Sequence, residues 1–340
     1  MNHFRLLIVV LITLGTAVLG TIYMKSSQAA TPFVSLEPET GEVAAPSTVV
    51  TDTTASTGKA IKFAATSTQP PATGTRTCPA YPAFPNDDCT GVPSDTSLTA
   101  IAGGLSTSAN GQVIDGRLIN GDLSVNHSNV TVKNTRIMGR ISNRAPSNLI
   151  VMDSDIGPDS CPASSNFYNN FNGTNYTMLR SRVHSAPADL VGIGGTGTIV
   201  IRDSIINRAC IYPGDHLDAI QWYAPGEVGN VTIDHSIVDT RPVNSPGSLG
   251  NAAIFWADRA GSGSRLTATN NWFAGGNYTV SLYDANAGSG VILDVRNNTF
   301  LKNSYTYGAC ASANSIPFNG SEGVRFTGNI YHDGSAFPSC

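Results

Sequence analysis

Charge is what this sequence has least of. Only 13% of its 340 residues are charged, where ordinary domains carry about 25%. Five lysines serve the whole chain. Exposed helix faces are normally built from Glu, Lys, Arg and Gln, so a large helical protein is excluded. A formal net charge of −4 leaves no electrostatic footprint for nucleic acid, and no nucleic-acid partner is expected. No C-x-x-C pair is present, so zinc-ribbon and thioredoxin chemistry lack their motif. P-loops, dinucleotide fingerprints, G-x-S-x-G elbows and H-E-x-x-H helices are missing too. What the chain does have is 34 Gly, 28 Asn and 41% hydrophobic residues. That mixture, with abundant Thr, Ser and Val, belongs to strands and tight turns.

Residues 1–30 read as export or anchoring sequence. An apolar run from Leu6 to Met24 lies between Arg5 and Lys25, just long enough to span a bilayer core. Ser27-Gln28-Ala29 offers a small-residue cleavage site. A cleaved signal peptide and an N-terminal membrane anchor both stay open. Either makes the remainder secreted or cell-surface anchored. Six cysteines follow: Cys78, Cys89, Cys161, Cys210, Cys310 and Cys340. Their even number beyond an export segment suggests oxidised pairs. Proximity favours Cys78–Cys89, Cys310–Cys340 and, with what is left, Cys161–Cys210.

Residues 31–65 form a short β segment or stalk, and 66–77 are a Thr/Pro linker by composition. The stretch from Val34 to Phe63, ending Ala55-Ser56-Thr57-Gly58-Lys59-Ala60-Ile61-Lys62-Phe63, resembles a fragment of β-sandwich carbohydrate-binding modules. It is far shorter than a sandwich of about 100 residues, and a stalk or strand pair is the simpler reading.

Residues 78–340 carry a repeat. Its unit is an apolar residue, another two later, a small polar residue two after that, and an apolar residue three further on. Val130-Val132-Asn134-Ile137 fits, as do Leu149-Val151-Asp153-Ile156, Tyr176-Met178-Arg180-Val183 and Ile199-Ile201-Asp203-Ile206. Val231-Ile233-His235-Val238, Leu266-Ala268-Asn270-Phe273, Leu293-Val295-Asn297-Phe300 and Val324-Phe326-Gly328-Tyr331 complete eight copies, 19 to 35 residues apart. Period two indicates a strand. The Asn or Asp that follows tolerates left-handed backbone and indicates a tight turn. Strand, bend and strand at this period describe one coil of a solenoid. A second column aligns Leu190-Val191-Gly192-Ile193 with Ala219-Ile220-Gln221-Trp222, Ala253-Ile254-Phe255-Trp256 and Val280-Ser281-Leu282-Tyr283. The expected fold is all-β, a right-handed parallel β-helix.

The coil Asn129-Val130-Thr131-Val132-Lys133-Asn134-Thr135-Arg136-Ile137 resembles those of the pectate-lyase-like superfamily of parallel β-helix proteins, and the likeness covers about three quarters of the chain. Cys89-Thr90-Gly91-Val92-Pro93 and Val113-Ile114-Asp115-Gly116 resemble the capped start of secreted bacterial members. The resemblance implies an extracellular partner, a polysaccharide or cell-surface glycan, and a monomer. Such coils specify a fold better than a chemistry.

Asp215-His216-Leu217-Asp218-Ala219-Ile220-Gln221 is the most unusual cluster. Asp189 falls one coil below Asp218, and stacked strands lie about 4.8 Å apart. Two such carboxylates raise one pKa, or bind a hard cation such as Ca2+ through Asp189, Asp218 and Asp215. Arg182 and His184 precede Asp189. Arg180, Arg202 and Arg208 add guanidinium groups suited to carboxylates. The cluster is also similar to the N-x-D-G-x-D coil of polygalacturonase-type hydrolases, with Asp218 at the first acid but Gln221 at the second. The resulting expectation is a lyase that cleaves an acidic polysaccharide by β-elimination. Asp189, His216, Asp218, Arg182 and His184 are the catalytic candidates. Gln221, Tyr223, Arg180, Arg202 and Asp258 are the substrate-binding candidates. A non-catalytic adhesin or glycan-binding solenoid, and a glycoside hydrolase, remain alternatives. Stacked polar residues of purely structural value explain the same pattern.

Overall fold

The computed structural model describes residues 47–51, 59–63, 76–144, 148–163, 169–222, 224, 226–256, 263–282, 291–312 and 323–337. Chain contacts divide it into two units, 1–75 and 76–340. In the first, Ser47–Thr51 pairs antiparallel with Lys59–Phe63. The apolar run at 6–24 lies outside the described residues. Among the described residues no helix is long and apolar enough to cross a membrane.

The second unit is a right-handed parallel β-helix. Each coil contributes one strand to each of three parallel sheets. The first sheet has ten strands, running from Thr99–Ile101 to Ile330–Tyr331. The second has nine, from Leu105–Ser106 to Gly308–Ser312, and the third has nine, from Val113–Asp115 to Gly323–Thr327.

The eight repeats stack in the register the sequence predicts. Val132, Val151, Met178, Ile201, Ile233, Ala268, Val295 and Phe326 are successive partners in the third sheet. Ile137, Ile156, Val183, Ile206, Val238, Phe273, Phe300 and Tyr331 are successive partners in the first. Ile114 adds an earlier coil below Val132. All of these except Phe326 are buried, and Phe326 packs partly buried against them. The interior is thus a set of apolar columns, each residue touching its equivalents above and below.

The bend between third and first sheets explains the polar residue of the repeat. Asn134, Asp153, Arg180, Asp203, His235, Asn270, Asn297 and Gly328 all have positive φ, from 44° to 68°. A left-handed residue costs an L-amino acid roughly 1–2 kcal/mol, least for Asn, Asp and Gly. The next residue turns inward. Thr135, Ser154, Ser181, Ser204, Ser236, Asn271, Asn298 and Asn329 are buried and form a continuous ladder. Each of the first seven donates its backbone N–H to the side-chain oxygen of the next at 2.8–3.3 Å. This ladder satisfies the backbone groups that a sharp bend removes from the sheets.

In the second sheet Ile193, Trp222 and Trp256 are register partners, as expected. The column then passes to Leu282 and not to Tyr283, a correction of one residue. Alternation accounts for it, because Val280 and Leu282 continue the inward parity of Ile254 and Trp256, whereas the expected alignment would set Ser281 opposite Ile254. Trp222 and Trp256 are core residues, stacked with centroids 4.7 Å apart. They admit only glycine at 229, where a Cβ would fall 2.1 Å from the Trp222 ring.

Two of the expected disulfides are present, Cys78–Cys89 and Cys161–Cys210. Cys340 lies outside the described residues. The segment 76–93 runs along the bend between third and first sheets. Ala83 O accepts from His235 Nε2, Phe84 meets Trp272 edge-on, Gly91 N–H donates to Arg180 O and Val92 N–H donates to Asp155. The opening motif therefore straps the flank of the solenoid and contacts coils as distant in sequence as residue 272.

Candidate functional site

The first sheet's outer face carries the most chemically loaded cleft among the described residues. Its register stacks Arg136, Asp155 and Arg182 in one column, with His184 two residues along from Arg182 and opposite Asn207. The inward residues Ile137, Ile156 and Val183 anchor these strands, so strand alternation turns the charged residues outward. With Asp87, Asp159, Asn207 and Arg208 they line an open cleft of about 490 Å³.

The charges are paired. Arg182 Nε bonds Asp155 Oδ1 at 2.7 Å, and its Nη1 reaches Asp87 at 3.0 Å. Arg136 Nη2 bonds Asp159 at 2.7 Å, and its Nη1 stands 3.1 Å from His184 Nε2. Gly91, at φ +71°, brings the strap against this group, since a Cβ there would lie 2.3 Å from Arg182 Nε. Asp87 belongs to the loop closed by Cys78–Cys89. Asp159 lies two residues from Cys161, which is bridged to Cys210.

His184 is the imidazole of the cleft. Burial, and then the adjacent Arg136 charge, lower its pKa to about 4. It is therefore neutral at physiological pH. A guanidinium only donates, so Nε2 is the acceptor toward Arg136, and Nδ1–H donates to Ser185 Oγ at 3.1 Å. In this tautomer Nε2 is unprotonated and its lone pair is held by Arg136.

In comparisons with protein-family models, curated proteins and solved structures, nothing matches this chain. The likeness to pectate-lyase-like proteins rests on the coil pattern of the sequence, and the structure shows a parallel β-helix.

The remaining candidates are dispersed. Asp189 and Asp218 are neighbours, with Asp218 N–H donating to Asp189 Oδ1 at 2.9 Å. Both are buried, Asp218 completely. Burial raises Asp189 to about 6, and burial followed by the Asp189 charge raises Asp218 well above the carboxylate range. Asn251 and Gln221 donate to the two oxygens of Asp218 at 2.9 and 3.3 Å, and Asn277 continues the stack to Asn251. This is a closed polar ladder inside a corner. His216 is exposed and makes no hydrogen bond to either carboxylate. Asp215 accepts the Tyr212 N–H and closes a local turn.

The calcium expected at Asp189, Asp215 and Asp218 would need their oxygens free to converge. N–H donors bond to all three carboxylates here, and burial favours the neutral forms of Asp189 and Asp218. Among the described residues no group of three or more His, Cys, Asp or Glu is arranged for a metal ion.

Arg180 is a structural residue, buried and bonded through Nε and Nη2 to both oxygens of Asp153 at 2.8 Å. The hydrogen bond to Asp153 raises its pKa. Arg202 pairs with Asp234 at 3.4 Å at the end of a third-sheet strand and does not line the cleft. Tyr223 and Asp258 lie outside the described residues. Of the expected arginine cluster, Arg182 and Arg208 reach the cleft. The cleft residues missed in sequence are Arg136, Asp155, Asp159, Asp87 and Asn207. The repeat held a signal for two of them. Arg136 and Asp155 stand two residues after the left-handed position of their coils, as Arg182 does.

Proposed function

We propose that this protein is an extracytoplasmic lyase that cleaves an acidic polysaccharide by β-elimination in the first-sheet cleft. The observation that supports the reading is a neutral His184 beside Arg136 in a cleft that also holds Arg182 and Arg208. The two disulfides fit an oxidising compartment. In the reaction a guanidinium neutralises the uronate carboxylate and acidifies the carbon next to it. His184 Nε2 takes the proton from that carbon as general base. The C–H electrons form the new C=C bond, the glycosidic C–O bond at the next carbon breaks, and the departing oxygen takes a proton from water.

Substrate would release the base it needs. A uronate carboxylate competes with Asp159 and His184 for Arg136. Drawing Arg136 away frees the Nε2 lone pair and removes the charge that, after burial, most depresses its basicity. Geometry does not place His216, Asp189 or Asp218 with this group.

Incubation with a panel of acidic polysaccharides tests the proposal. The expected product is a conjugated unsaturated uronate end, read by ultraviolet absorbance and lost in His184→Ala. New reducing ends without that absorbance would indicate a hydrolase and overturn the elimination. Binding without any bond cleavage would favour the second reading, a glycan-binding solenoid. That reading draws on the cleft's own ion pairs, in which Arg136 and Arg182 already have carboxylate partners.

A further inference from the structure

Two exposed aspartates enter the cleft in the same way. Asp87 lies two residues before Cys89, on the strap, and bonds Arg182 at 3.0 Å. Asp159 lies two residues before Cys161 and bonds Arg136 at 2.7 Å. Their side chains are 84% and 80% exposed, while those of Arg182 and Arg136 are 28% and 13% exposed. Each arginine is thus fixed in the wall, and its aspartate sits loosely over it from a loop stapled by a disulfide.

The arginines have other supports. Asp155 holds Arg182 from below through Nε and Nη2 and also accepts the Val92 N–H. His184 accepts from Arg136 Nη1. In the free protein neither arginine depends on its exposed aspartate alone. An exposed ion pair contributes little to stability, so an incoming carboxylate displaces it at small cost.

Arg136 and Arg182 are separated by the coil of Asp155. Two strand spacings make that about 10 Å. One sugar ring does not present two carboxylates that far apart, whereas successive acidic sugars along one chain do.

We propose that Arg136 and Arg182 are two carboxylate subsites on adjacent-but-one coils, that Asp159 and Asp87 occupy them in the free protein, and that an acidic polysaccharide lying along the solenoid axis displaces both. The proposal rests on the acidic-polysaccharide reading above and deepens it. It makes the ligand a segment with at least two acidic sugars, and it makes the two loops gates on affinity.

Calorimetric titration of the full chain tests this with three probes: a uronate trisaccharide, the uronate monosaccharide and a neutral trisaccharide. Asp87→Asn and Asp159→Asn should each tighten trisaccharide binding by roughly two- to fivefold, and the double variant should combine the gains. Arg136→Gln and Arg182→Gln should each weaken it, and the monosaccharide should bind more weakly than the trisaccharide to the unaltered chain. Asp87→Ser and Asp159→Ser serve as second variants if an Asn side chain keeps the contact. Unchanged or weaker trisaccharide binding in all the aspartate variants, at an unchanged melting temperature, would overturn the gating proposal while leaving the acidic-ligand reading standing. Equal binding of acidic and neutral trisaccharides, or none of either by the chain and its variants, would overturn both.

Discussion

Arg136 Nη1 stands 3.1 Å from His184 Nε2. Two groups that are both cationic at low pH are held in contact, so one must stay neutral, and it is the imidazole. Its pKa near 4 lies below the ordinary value of 6.5. The unfolded chain therefore binds more protons than the folded one between those values. Stability from this contact is present above the unfolded pKa and is lost as pH falls toward 4. The expected outcome is a His184 imidazole NMR signal that stays neutral from pH 7 down to about 4. Arg136→Gln should move its midpoint upward. A midpoint near 6.5 in the unaltered protein would contradict the arrangement.

The Asp189–Asp218 pair has the opposite sign. Both folded pKa values are raised, so the folded state holds protons that the unfolded state releases. Stability from these acids is full below the unfolded value of 3.8 and declines as pH rises through the folded value of about 6 for Asp189. Asp189→Asn keeps an oxygen for the Asp218 N–H and removes a charge. It should raise stability at neutral pH by roughly 1–3 kcal/mol and flatten the decline between pH 4 and 7. Urea denaturation across that range would check it, and a neutral-pH loss would refute it.

Arg180 and Asp153 illustrate a different use of charge. Arg180 accepts a left-handed backbone, φ 44°, inside a buried two-bond pair. Arg180→Ala leaves the Asp153 carboxylate buried without its partner and should cost about 3–5 kcal/mol. Replacing both residues should cost less than the sum of the two single changes, because no lone charge remains. A double-mutant cycle in guanidinium measures the difference.

The inward ladder at the bend makes a further prediction. Asn271 accepts the Ser236 N–H and donates to Ile233 O. Asn271→Leu has a comparable shape and leaves both buried backbone groups unsatisfied. About 1–3 kcal/mol per orphaned group should be lost. The cleft lies on earlier coils, so ligand binding by the folded fraction should be unchanged.

Much of the solenoid was legible because its information is local and repeated. Val130, Val132, Asn134 and Ile137 already state a strand, a left-handed turn and a new strand, and eight copies leave little choice of stacking. The slip at Tyr283 shows where that legibility ends. An aromatic residue drew the alignment, while parity set the true register at Leu282. The site was less legible for a related reason. Asp215, His216 and Asp218 are close in sequence, but the corner of a coil turns successive side chains to different surroundings. Asp218 went into a buried ladder and His216 into solvent.

By itself, then, the sequence determined the coil: its apolar columns, its left-handed bends and the exclusion of a large helical architecture, all set by residue type at fixed spacing. Only the tertiary structure decided which polar residues share a cleft. Arg136, Asp155 and Arg182 come from three coils, Asp159 from a stapled loop and Asp87 from a strap. The repeat puts the first three at one coil position, but where the two loops fold back over them is encoded by no spacing along the chain. The same stacking explains His184, whose basicity is lowered by burial and then by a guanidinium two coils below in the register.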